Sequence, residues 1–265
     1  MTCAKLTGMC NSTIMRNARV QAGQIAFLAV VSSLPSACLS EHPRVTAPPS
    51  PPAATSTVPE SIRWVQRSAE YEAASIQMYR AATARVEQEA ARRAPASWAV
   101  VLDADETVIS NVQYQIERVG LGYSPESWGA WVRRREAGPI PGAAQFLTRV
   151  RSLGGRIAIV TNRLQSECED TAALFRSHGL VYDAMLCRPD GGPADKNPRY
   201  QAVAAGETAA SREPLDVVAF VGDNILDFPG ASQALRQQGE AAFADFGVRY
   251  FLLPNPMYGS WETAH

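Results

Sequence analysis

Residues 97–107, SWAVVLDADET, combine a short apolar run with acidic residues placed directly after it. The run is typical of a strand buried on both faces, and Asp103 and Asp105 follow where such a strand ends. Both carboxylates would emerge at the rim of a sheet. Like charges that are partly removed from water need a counterion. This stretch therefore predicts a central strand with an acidic site at its end.

Three further apolar runs also end in polar residues: RIAIVTN to Asn162, DVVAFVGD to Asp223 and RYFLLPN to Asn255. Helical stretches at 142–153 and 165–178 separate the runs. This alternation predicts an α/β fold with a doubly wound parallel sheet. Ligands of such sheets bind at the carboxyl ends of the strands. The polar residues expected at those ends are Asp103, Asp105, Thr161, Asn162, Asp223 and Asp227.

Two segments flank or interrupt this pattern within a single domain predicted over residues 60–265. Apolar or small residues recur at three-four spacing from Trp64 to Val86, which predicts one long amphipathic helix as an N-terminal extension. Residues 108–140, between the first two strand ends, predict a small cap beside the site. His178 precedes Gly179 at a predicted helix end, so we expect its ring to contact the last helix carbonyls.

The composition excludes several functions. The chain has 265 residues, of which 46% are hydrophobic and 19% charged, as in a globular protein. Its 25 basic and 26 acidic residues give a formal net charge of -1, so no cationic excess favours a nucleic-acid polymer as partner. The three histidines lie at 42, 178 and 265, and none is placed for catalysis.

The N-terminal residues have the layout of a secretory signal. Arg16 and Arg19 precede an apolar run around 25–34, and small residues lead to Cys38. The run is too short to span a bilayer. We expect residues 1–38 to be a leader and signal with lipid attached at Cys38, although Pro35 departs from the usual lipoprotein pattern. We expect the proline-rich residues 39–59 to form an extended linker. The protein is then expected to be a secreted lipoprotein, located in the periplasm, at the outer membrane or on the cell surface.

Two cysteines, Cys168 and Cys187, follow this linker. They could pair in an oxidising compartment. The segment AMLCR favours the alternative, in which Cys187 is a small apolar strand residue without a partner. No CxxC motif suggests a zinc site.

The aspartates are suited to bind a metal ion. Asp103, Asp105 and Asp223 offer the oxygen ligands that a hard cation such as Mg²⁺ prefers. Asp227 follows Asp223 by four residues, close enough to orient a metal-bound water or Lys196. The alternative is that these aspartates only cap helices, which explains one of them but not all together. Lysine occurs only at 5 and 196 in a chain rich in arginine, which suggests that Lys196 occupies a place where only a compact ammonium group fits.

These motifs resemble the haloacid dehalogenase (HAD) superfamily: Asp-x-Asp-x-Thr after a strand, a threonine ending the next strand, an isolated lysine and Gly-Asp-x-x-x-Asp. VVLDADETVISNVQY and FVGDNILDF are similar to the paired signatures of class C bacterial acid phosphatases, a secreted lipoprotein nucleotidase group. WVQRSAEYEAASIQMY and LLPNPMYGSWE are also similar to that group. The resemblance runs from about Trp64 to Glu262, and Ala104 departs from it where the family more often has a larger aliphatic residue.

The resemblance implies a HAD-like Rossmannoid fold and a Mg²⁺-dependent acid phosphatase acting on small phosphomonoesters, 5'-nucleotides included. It makes Asp103 the nucleophile and Asp105 the acid and then the base. The carboxylates of Asp103 and Asp223 and the backbone carbonyl of Asp105 would hold the metal. Thr161, Asn162 and Lys196 would bind the phosphoryl oxygens. Activity at acidic pH is expected, because Asp105 must first donate a proton.

Aromatic residues near the site are candidates for substrate contacts. Tyr258, and with less support Tyr114, could stack on a nucleobase or an aryl leaving group. Two other functions stay open at this point. One is a non-catalytic surface lipoprotein that binds a ligand or partner, which the complete set of polar site residues argues against. The other is phosphotransfer to an alcohol, which the motifs do not separate from hydrolysis.

Overall fold

The computed structural model describes residues 57–264. The predicted signal, the lipid attachment at Cys38 and all but the last three residues of the linker 39–59 lie outside these residues. None of the helices within 57–264 is both long and apolar enough to cross a membrane.

Seven strands and seven α-helices form within the described range. The strands are β1 (Trp98–Leu102), β2 (Ile109–Ser110), β3 (Gly138–Pro139), β4 (Arg156–Leu164), β5 (Ala184–Arg188), β6 (Asp216–Gly222) and β7 (Tyr250–Leu252). The helices are α1 (Glu60–Arg67), α2 (Ala69–Ala90), α3 (Val112–Glu117), α4 (Pro125–Arg134), α5 (Ala143–Ser152), α6 (Cys168–Ser177) and α7 (Asn197–Ala204).

The core of the fold is a five-stranded parallel sheet in the order β5-β4-β1-β6-β7. Its central strand β1 alternates between two hydrophobic layers, because successive side chains of a strand point to opposite faces. Trp98, Val100 and Leu102 pack with residues of α2, α5 and α6. Ala99 and Val101 pack on the other face with residues of α7. The predicted doubly wound α/β fold is therefore confirmed.

One glycine is needed for this packing. A Cβ atom at Gly155, just before β4, would lie 2.4 Å from the ring of Trp98. The ring is completely buried, so it cannot swing aside to make room. The close approach of backbone and indole fixes how β4 enters the sheet beside β1.

The single long helix predicted from Trp64 to Val86 is wrong, because the chain breaks it at Ser68. This residue ends α1 and caps α2 in an extended conformation, with φ -86° and ψ 136°. Its Oγ accepts a hydrogen bond from the Tyr71 amide at 3.1 Å. A serine hydroxyl that satisfies a free amide at a helix start makes such a break favourable.

Two local expectations are also wrong. Cys168 and Cys187 form a disulfide, with Cα atoms 6.0 Å apart, whereas the sequence favoured an unpaired Cys187. The reason is topological: β5 pairs with β4, which brings Cys187 beside the start of α6. The His178 ring contacts the Ala137 carbonyl, at 3.1 Å from Nε2, rather than the last carbonyls of α6. Gly179 takes the left-handed conformation as predicted, with φ +64°.

The insertion between β1 and α5 contains α3, α4 and a short antiparallel ribbon of β2 and β3, in which Ile109 pairs with Pro139. The ribbon brings the two ends of the insertion together beside the sheet. Ser124 and Ser127 form a capping box at the start of α4. The rings of Trp128 and Trp131 lie 5.2 and 6.1 Å from that of Tyr114, so these aromatics form the core of the insertion.

Candidate active site

Three carboxylates converge at the carboxyl edge of the sheet. Asp103 follows β1, Asp223 follows the neighbouring strand β6, and Asp227 ends a short 3-10 turn, Ile225–Asp227. One carboxylate oxygen of each lies within 4.8 Å of the others. Because parallel strands end at the same edge, residues distant in sequence meet there.

The position of Asp227 depends on Gly222. A Cβ atom at Gly222 would lie 2.3 Å from the Asp227 Cβ, so a larger residue would push the turn away from the strand end. The turn is further held by Asn224, whose amide donates to Asp227 Oδ2 at 2.9 Å. The strand end and the turn together aim the Asp227 carboxylate at the site.

Lys196 joins two of the carboxylates. It lies at the start of α7, is 4% exposed, and its Nζ contacts Asp103 Oδ1 and lies 2.6 Å from Asp227 Oδ1. Tyr200 donates to the backbone carbonyl of Asp227 at 2.9 Å. The structure thus brings the isolated lysine to the aspartates, where its buried ammonium balances part of their charge.

The third carboxylate has neutral partners. Asp223 accepts from the Thr107 hydroxyl at 3.1 Å and from the Asn255 amide at 2.8 Å. Burial, with the negative charge of Asp227 added, raises the pKa of Asp223 well above its ordinary value. Burial also raises the pKa of Asp103 to about 7, although the charge of Lys196 opposes this shift.

The donor set of this site fits a divalent cation. Three carboxylates face one ammonium group, so two negative charges are unbalanced when all are ionised. Carboxylate oxygens are the ligands that hard divalent cations prefer. A cation would offset the repulsion that raises these pKa values. The cluster Asp103, Asp223 and Asp227 can therefore hold a divalent metal.

The Asp105 side chain lies outside this cluster. Arg163 Nε donates to its two oxygens at 3.0 and 3.1 Å, and Arg163 Nη2 donates to Oδ1 at 2.7 Å. Asn111 Nδ2 adds a fourth contact at 2.8 Å. The Asp105 carboxylate is therefore oriented by Arg163 and Asn111 rather than by the other aspartates.

Sequence reasoning missed Arg163. Its side chain is only 1% exposed, and it also donates to Thr171 Oγ1 at 3.2 Å and lies 5.3 Å from the Trp128 ring centre. The signal that could have found it is the alternation of side chains between the two faces of β4. Thr161 and Arg163 are two residues apart and therefore share one face of the strand.

Glu106 was missed as well. It is 1% exposed, with a left-handed φ of +51°. Its carboxylate accepts from the Asn111 backbone amide at 2.6 Å, the Asn111 side chain at 2.9 Å and the Tyr258 hydroxyl. Burial, with the charge of Asp105 added, raises its pKa to about 7. Glu106 thereby ties the loop after β1 to the C-terminal segment that carries Tyr258.

The two residues predicted to end the second strand lie inside it, because β4 continues to Leu164. Thr161 is buried, and its Oγ1 accepts from the Arg163 amide at 3.1 Å. Asn162 is exposed, and its side chain accepts from Arg199 Nη2 at 2.7 Å. The helical stretch predicted at 165–178 begins with a 3-10 turn, Gln165–Glu167, and continues as α6 from Cys168.

A cavity of about 710 Å³ opens over these residues. Tyr114 and Tyr258 both line it. Tyr114 is 3% exposed, and its hydroxyl lies 2.9 Å from Ser127 Oγ. The polar side chains at the floor of the cavity are Asp103, Asp105, Asn162, Arg163, Lys196, Asp223 and Asp227. The structure therefore brings nearly all the predicted site residues to one cavity, and Thr161 lies beneath it next to Asn162.

The chain is similar to known acid phosphatases. The family model of the HAD superfamily, subfamily IIIB (Acid phosphatase), matches residues 25–261. The structure of the class C acid phosphatase from Bacillus anthracis is 31% identical, with a TM-score of 0.68, over 77% of this chain and 86% of that one. A crystal structure of the class C acid phosphatase from Bacillus anthracis with tungstate bound is 29% identical, with a TM-score of 0.67, over the same shares.

These matches confirm the resemblance seen in the motifs and favour an enzyme over a non-catalytic binding protein. They also agree with the cavity, which is lined by Asp103, Asp105, Asp223 and Asp227. The chain belongs to the HAD superfamily, subfamily IIIB, the acid phosphatases, which hydrolyse phosphomonoesters.

Proposed function

We propose that the enzyme uses Mg²⁺ and a covalent aspartyl-phosphate on Asp103 to release inorganic phosphate from small phosphomonoesters. The observation that carries this proposal is the buried cluster of Asp103, Asp223 and Asp227 around Lys196 at the floor of an open cavity. Tungstate, bound in one of the similar structures, is an oxyanion like phosphate, which supports an oxyanion site here.

In the first step, a carboxylate oxygen of Asp103 attacks phosphorus, and the bond from phosphorus to the ester oxygen breaks. Asp105 donates its proton to the departing alkoxide, which leaves as an alcohol. In the second step, Asp105 takes a proton from water, and the resulting hydroxide attacks phosphorus. The bond between phosphorus and the Asp103 oxygen breaks, which releases inorganic phosphate and restores the free Asp103 carboxylate.

The surrounding residues position these groups. Arg163 and Asn111 hold the Asp105 carboxylate in a fixed orientation. Lys196 holds one oxygen of Asp103 and offsets the charge of the phosphoryl group. We assign the Thr161 hydroxyl and Asn162 to the phosphoryl oxygens, since both lie at the same edge of the sheet. Because Asp105 must donate a proton in the first step, we expect activity to be highest at acidic pH.

Mg²⁺ would be held by the carboxylates of Asp103 and Asp223 and the backbone carbonyl of Asp105, with Asp227 orienting its water ligands or Lys196. When bound, the metal supplies positive charge that stabilises the phosphoryl oxygens. The fit rests on the unbalanced charge of the cluster and on the neutral partners of Asp223.

We further propose that 5'-nucleotides are among the substrates, with Tyr258 as the stacking candidate at the cavity wall. Tyr114, the other residue considered for stacking, is 3% exposed and packs in the core of the insertion. Stacking is worth about 1–3 kcal/mol per base where the geometry is good. The N-terminal sequence supports secretion with a lipid on Cys38. The enzyme would then release phosphate outside the cytoplasm.

Hydrolysis of an aryl phosphate with and without Mg²⁺, by the parent enzyme and by Asp103→Asn, tests the proposal. We expect metal-dependent release of phosphate by the parent enzyme and none above background by the variant. Equal rates for the two proteins would remove Asp103 from its role. Full activity after exhaustive chelation would remove the metal.

A further inference from the structure

Three basic side chains line the catalytic cavity: Arg163, Arg188 and Lys196. Lys196 and Arg163 are both paired with carboxylates of the site. Arg188 differs from them. Within residues 57–264 it forms no ion pair, and its Nε is buried without a hydrogen-bond partner. The protein encloses Nε, but the side chain lines the cavity, so the terminal nitrogens of its guanidinium can bind an anion there.

Arg188 is rigidly placed at one side of the cavity. It is the last residue of β5 and pairs in register with Leu164 of β4. The preceding residue, Cys187, is bound by the disulfide to Cys168 at the start of α6. β4 separates β5 from β1 in the sheet. Since strands lie about 4.8 Å apart, the backbone of Arg188 lies roughly 10 Å to the side of the β1 backbone that leads to Asp103.

A second cation, Arg199, lies close to Arg188. Arg199 bonds to the Thr161 carbonyl and to Asn162, and in the described chain it forms no ion pair either. Burial lowers the pKa of Arg199, and the charge of Arg188 adds to this shift, whereas the charges of Asp103 and Asp195 oppose it. The nearby carboxylate of Glu167 accepts from the Leu164 amide at 2.9 Å. Arg188 itself forms no ion pair with a described carboxylate, whereas the charge of Asp195 offsets part of that of Arg199.

We propose that Arg188 is an anion subsite that binds a second negatively charged group of the substrate, a phosphate or a carboxylate. The preferred substrates are then phosphomonoesters that carry this second anion on a spacer of roughly 10 Å, the lateral separation of the β5 and β1 backbones, changed by the reach of the Arg188 and Asp103 side chains. A guanidinium suits this task, because it presents paired N–H donors to two oxygens of an anion. The inference rests on the proposed function, since Asp103 defines where the reacting phosphorus lies.

Matched substrates test the subsite. Hexanediol bisphosphate and hexyl phosphate share a spacer and differ only in the second phosphoryl group, and butyl and octyl pairs vary its distance. A hexanoate with a terminal phosphate ester carries a carboxylate as its second anion, and so shows whether the subsite prefers a carboxylate or a phosphate. The quantity measured is the ratio of kcat/KM for each doubly anionic substrate to that of its monoester, with the bisphosphate corrected for its two equivalent ends. Arg188→Met, Arg188→Lys and the matched surface control Arg92→Met are compared with the parent enzyme.

We expect the parent enzyme to favour the hexyl or octyl dianion, and Arg188→Met to reduce that ratio about tenfold, the effect of losing a charge-assisted hydrogen bond. Arg188→Lys retains part of the preference, which separates loss of charge from misfolding. Arg92, exposed and outside the cavity, leaves the ratio unchanged on substitution. An equal ratio in the parent enzyme and Arg188→Met, or no preference in the parent enzyme, overturns the subsite.

Failure of the subsite differs visibly from failure of the proposed function. If hexyl phosphate is hydrolysed without discrimination, only the subsite is lost. If no ester is hydrolysed, the proposed function fails, and calorimetric binding of hexanediol bisphosphate to Asp103→Asn still decides the subsite. Binding that Arg188→Met does not weaken in that background contradicts it.

Discussion

Arg163 donates three hydrogen bonds to the carboxylate of Asp105, the shortest of them 2.7 Å long. The pair lies between the strand that carries Thr161 and the insertion that carries Asn111 and Trp128. Because a guanidinium presents its donors in a fixed plane, it fixes the carboxylate in both position and orientation. The pair therefore links the insertion to the residue proposed as acid and base.

Replacing Arg163 tests this link. We expect Arg163→Met to lower kcat by about 10- to 100-fold, because small misplacements of a catalytic group cost that much. The loss is larger for alkyl phosphates than for aryl phosphates, since a good leaving group needs less protonation. Steady-state kinetics with both ester types measures it. Equal losses for the two types would show that Arg163 does not act through Asp105.

Metal binding depends on pH in a direction set by the aspartates. Burial raises the pKa of Asp103 from 3.8 to about 7 and that of Asp223 well above its ordinary value. Without metal, the folded protein therefore binds more protons than the unfolded chain between about pH 4 and 7. The stability that these groups contribute is present below about pH 4 and is lost as the pH rises through 7. A divalent cation binds the ionised carboxylates.

We therefore expect Mg²⁺ to raise the melting temperature more at about pH 7.5 than at about pH 5. Thermal unfolding at matched metal concentrations measures the difference. In the variant Asp223→Asn, the rise in melting temperature caused by Mg²⁺ should be smaller at both pH values. A larger shift at the lower pH would contradict the raised pKa values.

The disulfide should stabilise the fold measurably. It closes a loop with a sequence separation of 19 residues, for which chain entropy predicts about 3 kcal/mol. The double variant Cys168→Ala, Cys187→Ala is expected to lose about this free energy of unfolding, measured with urea. A reductant should destabilise the parent protein and leave the double variant unchanged. Equal stability of the two proteins would show that the crosslink is absent in solution.

Gly222→Ala should damage the site through one methyl group. The new Cβ would lie 2.3 Å from the Asp227 Cβ, so the turn that carries Asp227 must shift. We expect a loss of about 1–3 kcal/mol in stability and a fall in kcat, seen by urea unfolding and steady-state assays. Gly138→Ala is the matched control, because nothing lies within 4 Å of its new Cβ. Similar effects in both variants would contradict the role of the close approach.

The sequence predicted the sheet and the acidic residues because both leave local signals. Each buried strand is a continuous apolar run, and Asp103 and Asp223 directly follow two such runs. That the strands are neighbours in the sheet is a property of topology. The doubly wound pattern predicts that the strand ends meet at one edge, but it does not predict which strands are neighbours.

The features that were missed depend on contacts across the chain. The partner of Arg163 lies 58 residues earlier, and the bridge between Glu106 and Tyr258 spans 152 residues. Neither separation produces a local pattern. The break at Ser68 was hidden because apolar spacing continues through it, although a single hydroxyl is enough to cap a new helix.

The covalent intermediate on Asp103 is tested most directly in Asp105→Asn, which lacks the proposed base. The substrate is p-nitrophenyl phosphate, whose p-nitrophenolate leaving group needs no acid. Transfer of the phosphoryl group to Asp103 therefore proceeds, and hydrolysis of the aspartyl-phosphate is blocked. We predict a burst of one p-nitrophenol per enzyme, and mass spectrometry of acid-quenched peptides should find the phosphoryl group on Asp103. Turnover without a burst, or a phosphoryl group on any other residue, would contradict the account.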